Sequence, residues 1–492
     1  MDFELRHRWR PWGLVAGLVT GLAVALADTP LRHYGELGDR PARAAGVALM
    51  MAIWWLTEAI PIYWTACVPL VAFPLLGVFG RGLLGDARAA FVPYLDPYIF
   101  LFAGGMAIAA AMQQWNLHRR LALGILERIG TAPRRLLAGV LVATAFVSLW
   151  ISNTATATMM LPIGIALVTQ LERQQRVERL PRYGMAVMLA IAWGANLGGI
   201  GTKIGTAPNA QFGGFMERLG RSVSFLEFMA VGLPFVVLML PLAWLVLCRL
   251  SAGDAMAGGD AREVVRRERA ALGRAAAGER RVLAVFLVTA ALWIASNPLT
   301  EALDAAWPAL ALRSAHVEGG IAVLAALVLL ALRADGRAVL EPGALRLVPW
   351  ETLLLLGGGF AMAAGIQESG LSGWMARELS AISGLPALVQ VVVAALVTVA
   401  ISAVASNSAT VAVMLVVLAD AASPAARDTV LFAATIAASC DFALPAGTPP
   451  NAIVFGSGYV RIPVMAAYGA PLDVVAALLA ALWCALAVPL VL

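Results

Sequence analysis

Charge is what this chain of 492 residues has least of: 13% of its residues are Asp, Glu, Lys or Arg, against roughly a quarter in a soluble domain. In its place stand hydrophobic residues, 61% of the total. No polar block is large enough for a separate soluble domain. Apolar runs of the ~20 residues needed to cross a hydrocarbon core recur from Gly13 to the end, so the chain reads as one integral membrane unit. Cysteine is scarce too. Cys67, Cys248, Cys440 and Cys484 lie in or beside apolar stretches with no C-x-x-C spacing, which argues against both a disulfide framework and a metal cluster. The four histidines, His7, His33, His118 and His316, sit in polar segments between apolar runs. A serine hydrolase inside the membrane would therefore lack its base, and the chain reads as no enzyme. Lysine is scarcer still: of 35 Lys and Arg residues, Lys203 alone is lysine. The net charge of +5 is not a nucleic-acid signal, because the arginines cluster beside apolar segments, as they do in cytoplasmic loops.

The apolar runs and the arginines together give a weave. The start, with Arg6, Arg8 and Arg10 before an apolar run ending in ALAD, has the look of a secretory signal, but we read it as a retained first helix with a cytoplasmic N-terminus. Residues 12–28, 44–62 and 64–80 make three spans, and a fourth from Tyr98 to Gln114 returns inward. The next segment is flanked by Arg134 and Arg135 on one side and by Arg173, Arg176, Arg179 and Arg182 on the other. Both ends look cytoplasmic, so the segment reads as a re-entrant hairpin with its polar tip at Ser152, Asn153 and Thr154. A span from Gly184 then runs into NLGGIGTKIGTAPNAQFGG, too rich in Gly, Asn and Pro for an unbroken helix. Residues 226–248 return to a segment with seven arginines between Arg262 and Arg281. The expected division is an N-terminal segment and first helix (1–43), a first repeat (44–250), an arginine-rich cytoplasmic loop (251–281) and a second repeat (282–492).

The second half repeats the first in order and spacing. FLFAGGMAIAAAMQQWNL answers to LLLLGGGFAMAAGIQESGL, the tip SNT at 152–154 to SNS at 406–408, and GTAPNA from Gly205 to GTPPNA from Gly447. Gly104 to Ser152 and Gly358 to Ser406 are both 48 residues. Spans at 282–298 and 318–333 bring the second copy to the membrane after an odd number of crossings, so the copies should be inverted. Inverted repeats with a hairpin and a broken helix in each half mark secondary transporters, with substrate at the midplane. Irregular backbone at that depth is tolerated where it lines a cavity. Helix N-termini at the tips favour an anion, and the Ser, Asn and Thr side chains supply donors and acceptors without fixed charge. Two such tips related by a pseudo-twofold suit a ligand with two negative ends.

These paired tips, the paired GT-x-P-N breaks and TEAIPIYWTA around Glu58 resemble the divalent anion/sodium symporter family along essentially the whole chain. The resemblance implies an all-α transporter with about eleven transmembrane helices, two hairpins, a homodimer and elevator-type alternating access in the inner membrane. It implies carriage of dicarboxylates of the succinate, malate and fumarate class, or of tricarboxylates, coupled to sodium. A sodium-independent dicarboxylate exchanger is the alternative within the same fold, and an anion channel the more distant one. By position, the resemblance assigns a first sodium site to Ser148, Ser152, Asn153 and the backbone at Gly205. The second falls to Ser402, Ala405, Asn407 and the backbone at Gly447. Substrate would meet Asn153, Thr154, Thr206, Asn407, Ser408 and Thr448, with Ser408 standing where the family has threonine. Glu58 reads as a structural hydrogen-bonding group, and Asp441 as a structural partner rather than a proton carrier. For Lys203 two readings stand: it ties down the break, or its ammonium reaches the first cation site or the substrate and substitutes for a sodium ion.

Overall fold

A computed structural model describes residues 3–28, 30–33, 37–130, 132–252, 254 and 261–492; residues 253 and 255–260 of the expected arginine-rich loop lie outside these. Apart from one pair of two-residue strands, Arg333–Ala334 and Arg337–Ala338, the regular structure is helical. Among the described residues, six helices are long and apolar enough to cross a membrane, or seven if Ala277–Ile294 and Ser296–Ala306 count as one span. That pair is bent by 72°, so residues 282–298 do not form the straight span expected. Pro298 has no N–H to continue the ladder to Ile294, and proline is tolerated in the first turn of the helix that follows. Residues 64–80 likewise divide, into Ile62–Thr65 and Val68–Leu76, with Pro69 in the first turn of the second. Among the shorter apolar helices, Ala387–Ser402 and Asn407–Ala421 flank the second tip, whereas the first tip and first break lie at the ends of the long helices Asn153–Gln175 and Pro181–Ile200.

Both expected interruptions are present. The helix Pro133–Ser148 ends just before the first tip, and Asn153–Gln175 begins at it. Ala387–Ser402 and Asn407–Ala421 do the same at the second tip. The first broken helix stops at Ile200 and resumes at Ala207. The second stops at Ala438 and resumes at Pro449.

Packing sorts these helices into an inner and an outer group. Pro181–Ile200 is buried from Tyr183 to its end, as a helix apolar on all sides should be. It packs against Pro133–Ser148, Asn153–Gln175, Phe225–Ser251 and, from the other half, Pro449–Phe455. Its approach to Pro133–Ser148 is backbone to backbone, because a Cβ on Gly198 would run into the Ala145 carbonyl. The final helix, Ile462–Val491, packs against Ala387–Ser402, Arg427–Ala438 and Phe225–Ser251. The halves also interlock: Ala207–Arg218 lies on Asn407–Ala421, and Pro449–Phe455 on Asn153–Gln175. Outside this group, Pro97–Gln114 packs along Ser314–Ala331, and Trp350–Glu368 against the short helices before residue 96. The paired glycines of the sequence repeat serve these outer contacts. A Cβ on Gly104 would strike the Ala322 backbone, and one on Gly358 the Ala66 backbone, close approaches of the kind that small residues permit in membranes.

Candidate functional site

At the first tip, Ser152 caps the helix that begins at Asn153, its hydroxyl accepting from the Ala155 amide at 3.4 Å. Ser148 Oγ stands 2.8 Å from Asn153 Oδ1 and 2.8 Å from the Ala195 carbonyl oxygen. At the second tip, Ser402 Oγ stands 2.9 Å from Asn407 Oδ1 and 2.7 Å from the Ala438 carbonyl oxygen. Each tip thus draws together three oxygens that share one hydroxyl proton. A serine hydroxyl donates once, so one oxygen of each trio faces another without a hydrogen between them. Such oxygen-rich, uncharged trios suit a hard monovalent cation, and they fix the asparagine so that its Nδ2 remains a donor for an anion.

The breaks are held by the asparagines of GT-x-P-N. Asn209 Nδ2 donates to the carbonyls of Gly199 and Thr202 at 2.8 and 2.7 Å. Asn451 Nδ2 donates to those of Asp441 and Leu444 at 3.1 and 2.9 Å. Carbonyls freed where a helix unwinds need such donors. Asn196, from the first half, adds a bond across the repeats, donating to the Asp441 carbonyl at 2.9 Å and lying 3.2 Å from Thr448 Oγ1.

Among the residues assigned from sequence, Ser148 and Asn153 meet directly, and so do Ser402 and Asn407. Gly205 joins the first group through Gly199: a Cβ on Gly205 would strike Gly199, and one on Gly199 would strike the Asn153 amide. Gly447 abuts the Asp441 carboxylate, and Ala405 is buried in the turn before the second tip. Thr154 is exposed, Thr206 and Ser408 are partly buried, and Thr448 is buried as the cap of Pro449–Phe455. Glu58 closes the helix Arg40–Thr57 in the left-handed conformation, φ 48°, a structural position.

Lys203 turns away from the first tip. Its Nζ lies 2.8 Å from Glu318 Oε2 and 3.3 Å from the Tyr98 hydroxyl, with both members of the ion pair fully buried. Glu318 also accepts from the Phe225 amide at 2.6 Å and from Ser296 Oγ at 3.0 Å. The expectation that Lys203 lends its charge to the cation site is not met in this conformation, because Glu318 takes up that charge. Sequence reading passed over Glu318, Asn196, Asn209 and Asn451. An acid in the apolar run AHVEGGIAVL and an asparagine at the same place in both breaks were the available signals. Two threonines, Thr156 and Thr410, were passed over as well. Each lies four residues after its tip serine, with a buried hydroxyl lacking a hydrogen-bonding partner.

A helical bundle with two polar tips and two unwound helices is the architecture of a multi-span membrane transporter. The chain belongs to the family of the sodium:sulfate symporter transmembrane region, whose model matches residues 10–491. It is 33% identical over 471 residues to the sodium-dependent dicarboxylate transporter SdcS of Staphylococcus saprophyticus, covering 93% of this chain and 88% of that one. It is 32% identical to SdcS of Staphylococcus aureus, covering 98% and 92%. The YdaH transporter of Alcanivorax borkumensis has a similar fold, with a TM-score of 0.54 at 16% identity over 90% of this chain and 97% of that one.

Proposed function

We propose that this protein carries dicarboxylates of the succinate, malate and fumarate class across the inner membrane together with sodium. The observation that carries this reading is the duplicated trio of serine hydroxyl, asparagine carbonyl and a backbone carbonyl of the broken helix, with nearly equal distances in both halves. Sodium takes the lone pairs that no hydrogen separates. The substrate carboxylates then meet Asn153 and Asn407 from the other side, at the start of helices whose dipoles favour anions. Thr154, Thr206, Ser408 and Thr448 supply further hydroxyls. Sodium and dianion thus share each asparagine, so each favours the binding of the other, and this is the basis of coupling. The dicarboxylate specificity of the relatives supports the substrate class.

The same reading gives the mechanics. The two halves, 44–250 and 282–492, are inverted copies, the tips are the ends of re-entrant hairpins, and the short helices bring the crossings to about eleven. The inner group of helices moves as an elevator against the outer group, within a homodimer whose N-terminus is cytoplasmic. The arginines between the halves and beside the first hairpin support that orientation.

Uptake of labelled succinate into proteoliposomes tests the reading. An inward sodium gradient should drive accumulation, and internal unlabelled succinate should accelerate exchange. Uptake indifferent to sodium but accelerated by internal dicarboxylate would replace symport with exchange. Flux without such acceleration would indicate a channel.

A further inference from the structure

The two breaks differ in one residue that the proposed mechanism leaves unused. Asp441 lies in the second break, fully buried, and neither carboxylate oxygen has a hydrogen-bonding partner. The Leu444 amide lies beside it without completing a regular hydrogen bond. Asp441 belongs to none of the ion pairs found among the described residues. A second buried acid, Asp473, lies close by and accepts from the Phe442 amide at 2.7 Å, so it brings further negative charge and no donor for Asp441. The one lysine of the chain, Lys203, is committed to Glu318. An ionised carboxylate left alone in a low-dielectric interior costs several kcal/mol, so a group in this position takes up either a proton or a cation, and a cation bound beside it displaces the proton.

The geometry says where that cation would sit. The carboxylate fills the space that a side chain on Gly447 would occupy, so it rests against the backbone assigned to the second sodium site. Asp441 follows Ala438 by three residues, and the Ala438 carbonyl is the one that Ser402 touches. Its own carbonyl is pinned by Asn196 and Asn451, which prevents the segment from swinging away. Two further buried oxygens in this neighbourhood lack a donor, Ser439 Oγ and Asn196 Oδ1. The first break has no acid anywhere between Ala195 and Asn209.

We infer that the Asp441 carboxylate is a ligand of the cation at the second tip, so that this site carries a full negative charge while the first is built from neutral oxygens. This rests on the reading of the tips as cation sites.

Sodium binding to the purified, substrate-free protein tests this, using radioactive sodium and the sodium-dependent rise in thermal midpoint as readouts. An Asn153→Ala variant isolates the second site. Adding Asp441→Asn to it should raise the half-saturating sodium concentration by about tenfold or more, the scale of losing one charge beside a bound ion. Equal binding by Asn153→Ala and Asn153→Ala/Asp441→Asn overturns the inference while leaving the tips as cation sites. If instead Asn407→Ala also fails to weaken binding in the Asn153→Ala background, the tip reading falls, and the inference with it. A measurement on the unaltered protein guards against misfolded variants: sodium should change a carboxylate stretching band in the infrared difference spectrum. A spectrum with no carboxylate band responding to sodium overturns the inference as well.

Discussion

The first and second breaks share a frame and differ in charge. In both, an asparagine from GT-x-P-N ties down freed carbonyls, and the preceding helix offers a backbone carbonyl to a tip serine. The first break then carries a lysine that reaches outward to Glu318 on Ser314–Ala331 and to Tyr98 on Pro97–Gln114. The second carries an aspartate that keeps to its own site. A duplicated frame therefore fixes where ligands bind, and single substitutions within it decide which half is fastened to the outer helices and which half holds charge. Because the Lys203–Glu318 pair joins the inner group to the outer one, it also marks a contact that any sliding of the two groups must break or carry along.

The largest effect should come from unfastening the first break. Glu318→Ala leaves the Lys203 ammonium buried without a partner, and removing one member of a buried pair costs ~3–5 kcal/mol. The Phe225 amide loses its acceptor at the same time. Thermal unfolding in detergent should show a marked fall in midpoint. Lys203→Met combined with Glu318→Gln removes both charges but keeps an acceptor for Phe225 and Ser296, and it should recover most of the loss. If the double variant is as unstable as Glu318→Ala, the pair is not what stabilises this contact.

The tips come next, and here the two halves should behave alike. Asn153→Ala or Asn407→Ala removes a group that serves both cation and anion. Bonds to charged groups are worth ~1.5–3 kcal/mol each, so uptake should fall about a hundredfold or more. The fold should survive, since Ser148 and Ser402 can still donate to Ala195 and Ala438. Near-normal uptake by either variant would remove that tip from the site.

A smaller asymmetry is expected where the breaks are tied down. Asn209→Ala strips the donor from the carbonyls of Gly199 and Thr202, and from that of Ile200 at 3.4 Å. Asn451→Ala strips two, and the Asp441 carbonyl keeps Asn196. The first variant should therefore be the less stable by ~1 kcal/mol, about one net hydrogen bond. Equal midpoints would show that Asn196 does not support the second break.

Much of this frame was legible in the sequence because membrane constraints are severe. Polar tripeptides and Gly-Asn-Pro runs in apolar surroundings have few structural uses, so the tips at 152–154 and 406–408 and both breaks were found where the repeat placed them. Straight spans were less legible. Residues 282–298 read as one apolar run, yet Pro298 ends the hydrogen-bond ladder and the chain turns by 72°. Partners distant in sequence were not legible at all. Lys203 stood out as the lone lysine, but its direction depends on Glu318, 115 residues away, and periodicity carries no information about such a pairing. Asp441 read as a structural partner, whereas its oxygens proved to have none.

The smallest expected effect concerns the last letter of the tips, SNT against SNS. Thr154 is exposed and Ser408 partly buried, so the two hydroxyls are matched while a methyl is missing on the more enclosed side. Ser408→Thr restores it. If the methyl packs against the carbon chain of a bound dicarboxylate, one buried methyl is worth ~0.8 kcal/mol, roughly fourfold in affinity. The gain should appear in the KM for succinate, with the maximal rate unchanged, because the contact is the same in the bound and moving states. Should the site instead be filled to capacity by Ser408, the added methyl overpacks it, and KM rises for longer dicarboxylates before it rises for succinate. A KM unchanged for every dicarboxylate tested would place the Ser408 side chain out of reach of the substrate, leaving Asn407 as the contact made by the second tip.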